Sequence, residues 1–187
     1  MAVSRQVCPF HADEDVLGLA TGSQDGSLIF TCLHVKGHPQ PGSHSWLQVP
    51  RPEGMPGIDG YADELGLESE LPAAIGQYKG RWIEYGVVER AYALRRPDDF
   101  AAIVTRYGHK ALEPRQYTAS AFLAGVLAVL SRRGTILYHL GPATGRWSYN
   151  DKISWWSTAP APDWDSARLS WADIGDDISY IPGAQGR

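Results

Sequence analysis

Two cysteines and four histidines crowd into the first quarter of the chain, and their spacing is that of metal ligands. Cys8 and His11 are separated by two residues, which lets both side chains of one tight turn reach a single tetrahedral ion. Cys32 follows, and after it come His34, His38 and His44. Four of the six histidines and both cysteines fall within 37 residues. Thiolate sulfur and imidazole nitrogen suit zinc, and four such ligands leave no open position for water, so the ion would be structural. His38 is the preferred fourth ligand, because five intervening residues let the chain turn back on the metal. His34 would share a face with Cys32 if the strand continued, and His44 is also within reach. With only three ligands a hydrolytic site is conceivable, served by His34, His44 and Glu14. The competing reading is a pair of buried thiols and a set of surface histidines.

Two cysteines in 187 residues make no disulfide scaffold, so their value lies elsewhere. Hydrophobic content of 43% with 11% aromatics is that of a globular protein, while 13 prolines and 20 glycines imply many turns. No stretch approaches the roughly 20 apolar residues that cross a bilayer, and no apolar signal core precedes Cys8. A cytoplasmic location without membrane partners is expected.

The formal charge of −4 hides a strong asymmetry. Residues 1–78 hold 3 basic and 10 acidic side chains, residues 79–152 hold 12 and 6, and residues 153–187 hold 2 and 5. The middle of the chain is therefore basic and could meet an anionic partner.

The elements that must position these residues follow from periodicity. Residues 16–21 and 27–32 read as two strands joined at Asp25-Gly26, a hairpin that brings Cys32 back beside Cys8. The Pro- and Gly-rich residues 38–60 cannot sustain a helix or a central strand. A helix is expected from 71 to about 96, with Trp82, Tyr85, Val88 and Tyr92 as an apolar stripe, and a second over 100–107 behind Asp98 and Asp99. Thr118 caps a third helix, 119–133, with Phe122, Leu123, Val126, Leu127 and Leu130 on one face; Arg132 and Arg133 suit its end and Gly134 closes it. Residues 135–140 and 146–156 read as strands around a loop. The expected fold class is α+β, a small zinc-ribbon β-hairpin module followed by a winged-helix-like domain. Its divisions are a zinc-ribbon module at 1–48, a linker at 49–70, the winged-helix-like domain at 71–157 and an irregular tail at 158–187, pinned by Trp164 and Trp171.

The Cys8-Pro9-Phe10-His11 turn, Glu14 just after it and Phe30 two residues before Cys32 resemble the zinc-ribbon module at the start of bacterial DNA primases. The resemblance covers about a fifth of the chain and departs from that family's second cysteine pair, for which histidine would substitute here. It implies a structural zinc ribbon near nucleic acid and nothing about polymerisation.

Residues 117–156 resemble the second half of a winged helix-turn-helix domain, three helices and then a hairpin. That resemblance implies double-stranded DNA as partner. Gln116, Tyr117, Thr118 and Ser120 would sit at the helix start, where N–H groups and hydroxyls suit a phosphate. Arg132 and Arg133 end the helix, and Arg146 and Lys152 would make backbone or minor-groove contacts from the wing. Strand alternation would put Trp147 and Tyr149 on one face, to stack on bases or hold a flipped one, with Asn150 adding hydrogen bonds; the same aromatics could instead pack in the core. The helix itself carries no long polar side chain between 119 and 130, so either the wing reads the DNA or the domain meets protein.

No phosphate-binding glycine loop, nucleophile elbow or paired His-Glu motif is present, and nothing demands an enzyme. The expectation is a regulatory or DNA-surveillance DNA-binding protein with structural zinc. A protein-interaction adaptor with an aromatic surface and a metal-dependent nuclease are the alternatives.

Overall fold

The computed structural model describes residues 5–8, 10–11, 17–24, 27–34, 36–38, 41–48, 58–109, 117–148, 150–175 and 177–183. The first four strands, β1 (Arg5–Val7), β2 (Leu17–Gln24), β3 (Ser27–Cys32) and β4 (His44–Gln48), form an antiparallel sheet in that order. The expected hairpin is there, with Gln24 opposite Ser27, although Asp25 and Gly26 lie outside the described residues. Side chains alternate across a strand, and this decides what the sheet does. Ile29 and Leu47, opposite each other on β3 and β4, enter the large hydrophobic core. Phe30 faces Trp46 across the same two strands, and both pack with Cys8 and Cys32 in a separate cluster.

Two helices, α1 (Ile58–Glu64) and α2 (Leu67–Gly76), take up half of residues 49–70, the stretch expected to be linker. Buried Ala62, Leu65, Leu67, Leu71 and Ile75 supply the reason: helix packing outweighs the Pro and Gly nearby. The single helix expected over 71–96 is also corrected. A turn follows α2, then β5 (Trp82–Glu84), and only then α3 (Tyr85–Arg95). Trp82 belongs to that strand, so the apolar stripe mixes two elements. Residues 85–89 and 91–93 are all buried, and a helix buried nearly all round carries little periodic signal.

The next helices match their signals closely. Helix α4 (Pro97–Tyr107) begins with Asp98 and Asp99 in its first turn. Helix α5 (Ala119–Arg132) starts at Thr118, whose hydroxyl accepts from the Ala121 N–H at 3.2 Å. It ends in a Schellman motif: Gly134 at φ 75° donates to Ser131 O, and Thr135 donates to Leu130 O. Phe122, Leu123, Val126, Leu127 and Leu130 are buried, and no residue of α5 before Arg132 is exposed. Helix α5 is therefore a core element.

Strands β6 (Leu137–Pro142) and β7 (Lys152–Ser157) form the expected antiparallel pair, and β5 lies beside β7. A short strand in the tail, β8 (Arg168–Leu169), adds parallel to β5, giving the order β6-β7-β5-β8. The tail is thus partly regular, and Trp171 is fully buried as its pin. Among the described residues the fold is mixed α/β, with two four-stranded sheets and five α-helices. None of those helices is long and apolar enough to cross a membrane.

Candidate metal centre

Cys8 follows β1, and the turn after it is closed by the His11 N–H donating to Cys8 O at 3.0 Å. Cys32 ends β3, and His38 folds back from the loop before β4. The sulfur or nitrogen atoms of Cys8, His11, Cys32 and His38 all lie within 4.8 Å of one another. Cys8 Sγ is 3.5 Å from His38 Nε2, and Cys32 Sγ is 3.8 Å from His11 Nδ1. A tetrahedral ion with ordinary metal–sulfur and metal–nitrogen lengths separates such atoms by about 3.5 Å. The four residues are thus close enough to hold a metal ion.

Backbone carbonyls select the nitrogen each imidazole offers. His11 Nε2 lies 2.8 Å from Lys36 O, and His38 Nδ1 lies 2.7 Å from Gly42 O. A carbonyl only accepts, so each of those nitrogens carries the proton. The lone pairs of His11 Nδ1 and His38 Nε2 are therefore directed into the cluster. Gly37 makes this possible, since at φ 85° a Cβ would stand 2.6 Å from His11 Nε2.

Cys8 and Cys32 are fully buried and His11 nearly so. Burial, opposed by the Phe10 and His11 backbone N–H groups and reinforced by Cys32, pushes the Cys8 thiol up to about 11. A thiol in that range keeps its proton until a cation replaces it. Two thiolates and a divalent ion sum to zero charge, which a buried site tolerates.

The two rejected histidines are nearby. The ring of His34 is 5.1 Å from that of His11 but exposed. His44, opposite Cys32 on β4, stacks on Trp46 at 5.9 Å and meets the edge of Phe10 at 4.8 Å. Burial, with His38 beside it, pushes its imidazole down to about 4, so it is neutral.

Those of the expected DNA-contacting residues that are described do not gather into one surface. Thr118 is spent on the helix cap, and Ser120 donates to Glu89 at 2.7 Å. Tyr117 is half-buried against Tyr107. Arg132 is exposed at the far end of α5, and Arg133 is paired with Glu68. Arg146, Asn150 and Lys152 lie around the β6–β7 turn, Arg146 with its guanidinium 5.9 Å from the Trp147 ring centroid. Trp147 is not on a strand: residues Gly145–Trp147 form a 3-10 turn, and the indole is 6% exposed. It is drawn inward over Gly86, where the missing Cβ leaves it room, with Tyr85 edge-on at 5.4 Å. Gln116 and Tyr149 lie outside the described residues.

Two buried carboxylates escaped the sequence reading. Glu84 accepts from the Thr144 N–H and hydroxyl and from the Trp171 N–H, at 2.8, 2.6 and 2.7 Å. Glu89 accepts from Tyr85, His109, Ser120 and Tyr180 at 2.9, 2.7, 2.7 and 2.9 Å. The available signal was a pair of acids in the run from Trp82 to Ala93, whose one other charged residue is Arg90.

No family model, curated protein or solved structure matches the chain.

Proposed function

We propose that the Cys8, His11, Cys32 and His38 cluster is a structural zinc centre and that the protein acts by binding, with double-stranded DNA at the β6–β7 turn as its partner. One observation carries the metal reading: two sulfurs and two oriented imidazole nitrogens lie within 4.8 Å of one another. That soft donor set suits zinc, and it closes the coordination sphere. A closed sphere argues against the nuclease alternative, which needs a metal-bound water.

The DNA reading is supported by the placement of Arg146, Asn150 and Lys152 around the turn, with Lys152 exposed and Arg146 and Asn150 partly so. In this reading the wing of a winged-helix-like domain makes the contacts and α5 only supports it. Fluorescence anisotropy of a labelled duplex, titrated with salt, tests it. Binding that weakens steeply with salt is expected, and an Arg146→Ala variant should bind less tightly on all sequences. No binding at about 20 mM salt overturns it.

A protein partner is the second reading, and internal ion pairing favours it. Arg90 pairs with Asp177, Arg95 with Glu70, Arg96 with Glu70 and Asp99, and Arg133 with Glu68. Acids from the flanks thus pair with four arginines of the basic middle segment, which leaves less charge for phosphates. A stable, nuclease-insensitive protein complex would support this reading over DNA.

A further inference from the structure

Strand β4 belongs to two cores at once. On one of its faces Trp46 stacks on Phe30, with ring centroids 5.7 Å apart, and His44 stands opposite Cys32. Phe30 and Trp46 complete the small cluster around Cys8 and Cys32. On the other face Leu47 opposes Ile29, and both enter the large core of the molecule. There β4 packs on helix α5 and reaches β6. Leu47 is 6% exposed and Ile29 4%, so this contact is closed. A single step along the strand, from Trp46 to Leu47, passes from one core to the other.

The ligand cluster sits where it can fix the position of β4. Cys32 is the last residue of β3, and His38 lies in the connection to β4. His38 Nδ1 donates to Gly42 O, two residues before β4 begins. An ion held by Cys8, His11, Cys32 and His38 would close this connection and join it to the first ligand turn. Little else is there to do so. The buried hydrophobic residues of that cluster are Cys8, Phe30, Cys32 and Trp46, with Phe10 partly buried. Two aromatic rings and two thiols are a thin core for a sheet, and small units of this kind ordinarily draw their folding free energy from the metal.

We propose that the metal centre controls the seating of β4 on α5: with the ion bound, Leu47 is held in the main core, and with the ion lost, β4 leaves the helix and that part of the core opens. The inference rests on the cluster being a metal site and goes beyond it, since a purely local staple would leave α5 untouched. The centre is then a metal-responsive element of the whole fold, and the first sheet is no separate module. Coupling of this kind is reciprocal. Whatever the ion adds to the seating of Leu47, the seating of Leu47 adds to the affinity for the ion.

Hydrogen exchange on the full-length protein, zinc-loaded and after chelation, is the direct test, preceded by elemental analysis for zinc. The amides of β3, β4 and α5 should all lose protection on chelation, those of α5 by roughly tenfold or more. Acceleration confined to residues 5–48 would overturn the proposal and leave the metal site standing. Absence of stoichiometric zinc would overturn both. A second measurement uses the reciprocity. Leu47→Ala lies on the face of β4 away from the ligands, yet it should weaken zinc binding roughly tenfold in competition with a chelator. Ile29→Val, a milder change at the position opposite, should weaken it by a smaller factor and serves if the alanine variant folds poorly. Unchanged zinc affinity in the variants that fold would likewise overturn the proposal.

Discussion

His11 Nε2 donates to the carbonyl of Lys36 across 25 residues of sequence, and the residue after that carbonyl is Gly37, packed on the same imidazole. The contact turns Nδ1 toward Cys32 and ties the first ligand turn to the loop that carries the fourth ligand. Orientation of the candidate metal cluster therefore rests on a backbone that has room for the ring.

Gly37→Ala should lower zinc affinity and destabilise the protein by about 1–3 kcal/mol, because the new methyl meets His11 at 2.6 Å and the backbone is left-handed there. Zinc competition with a chromogenic chelator and thermal unfolding would show both effects. Unchanged affinity would mean that the imidazole is not held as described.

Removing any of the four ligand side chains, as in Cys32→Ser or His38→Ala, should abolish stoichiometric zinc in elemental analysis. His34→Ala and His44→Ala should retain it, because neither side chain belongs to the cluster. Zinc uptake should release protons from the thiols and weaken as pH falls, which calorimetry in buffers of different ionisation enthalpy would reveal. Retention of zinc by both Cys8→Ser and Cys32→Ser would refute the site.

Glu89→Gln should cost about 2–4 kcal/mol at neutral pH, since the new amide presents donors to a ring of donors. Burial works against ionising Glu89, but the hydrogen bonds and charge of His109, with Ser120 and Tyr180, outweigh it and hold the carboxyl below its usual range. A depressed carboxylate contributes stability above its unfolded pKa, about 4.3, and loses it as pH falls through the folded value. Urea midpoints at neutral and acidic pH should therefore converge between parent and variant; a constant gap would argue against an ionised Glu89.

Gly86→Ala should be strongly destabilising, by about 3 kcal/mol, because its Cβ would lie 2.2 Å from Trp147 Nε1 and 2.9 Å from Trp171 Cε3. Denaturant unfolding would measure it, and the shift should be accompanied by greater exposure of those indoles in the folded state. A neutral substitution would mean that the tail is not clamped there.

The ligand set and the capped helices could be read in the sequence because their causes are local. A Cys-x-x-His turn, a hairpin signal, Thr118 before an apolar helix and Gly134 after it each act within a few residues. The sequence also placed Trp171 in the core. It could not assign the faces of elements that tertiary packing buries on all sides. Helix α5 has a well-formed apolar stripe, yet its other sides are covered too, so it lies in the interior. The basic middle segment met acids brought from both flanks, Glu68, Glu70 and Asp177, and composition by segment could not anticipate that pairing. Trp147 left its expected strand because Gly86, 61 positions earlier, opens a space for it. In each case the deciding contact lies far away in the chain, where only the folded structure brings the partners together.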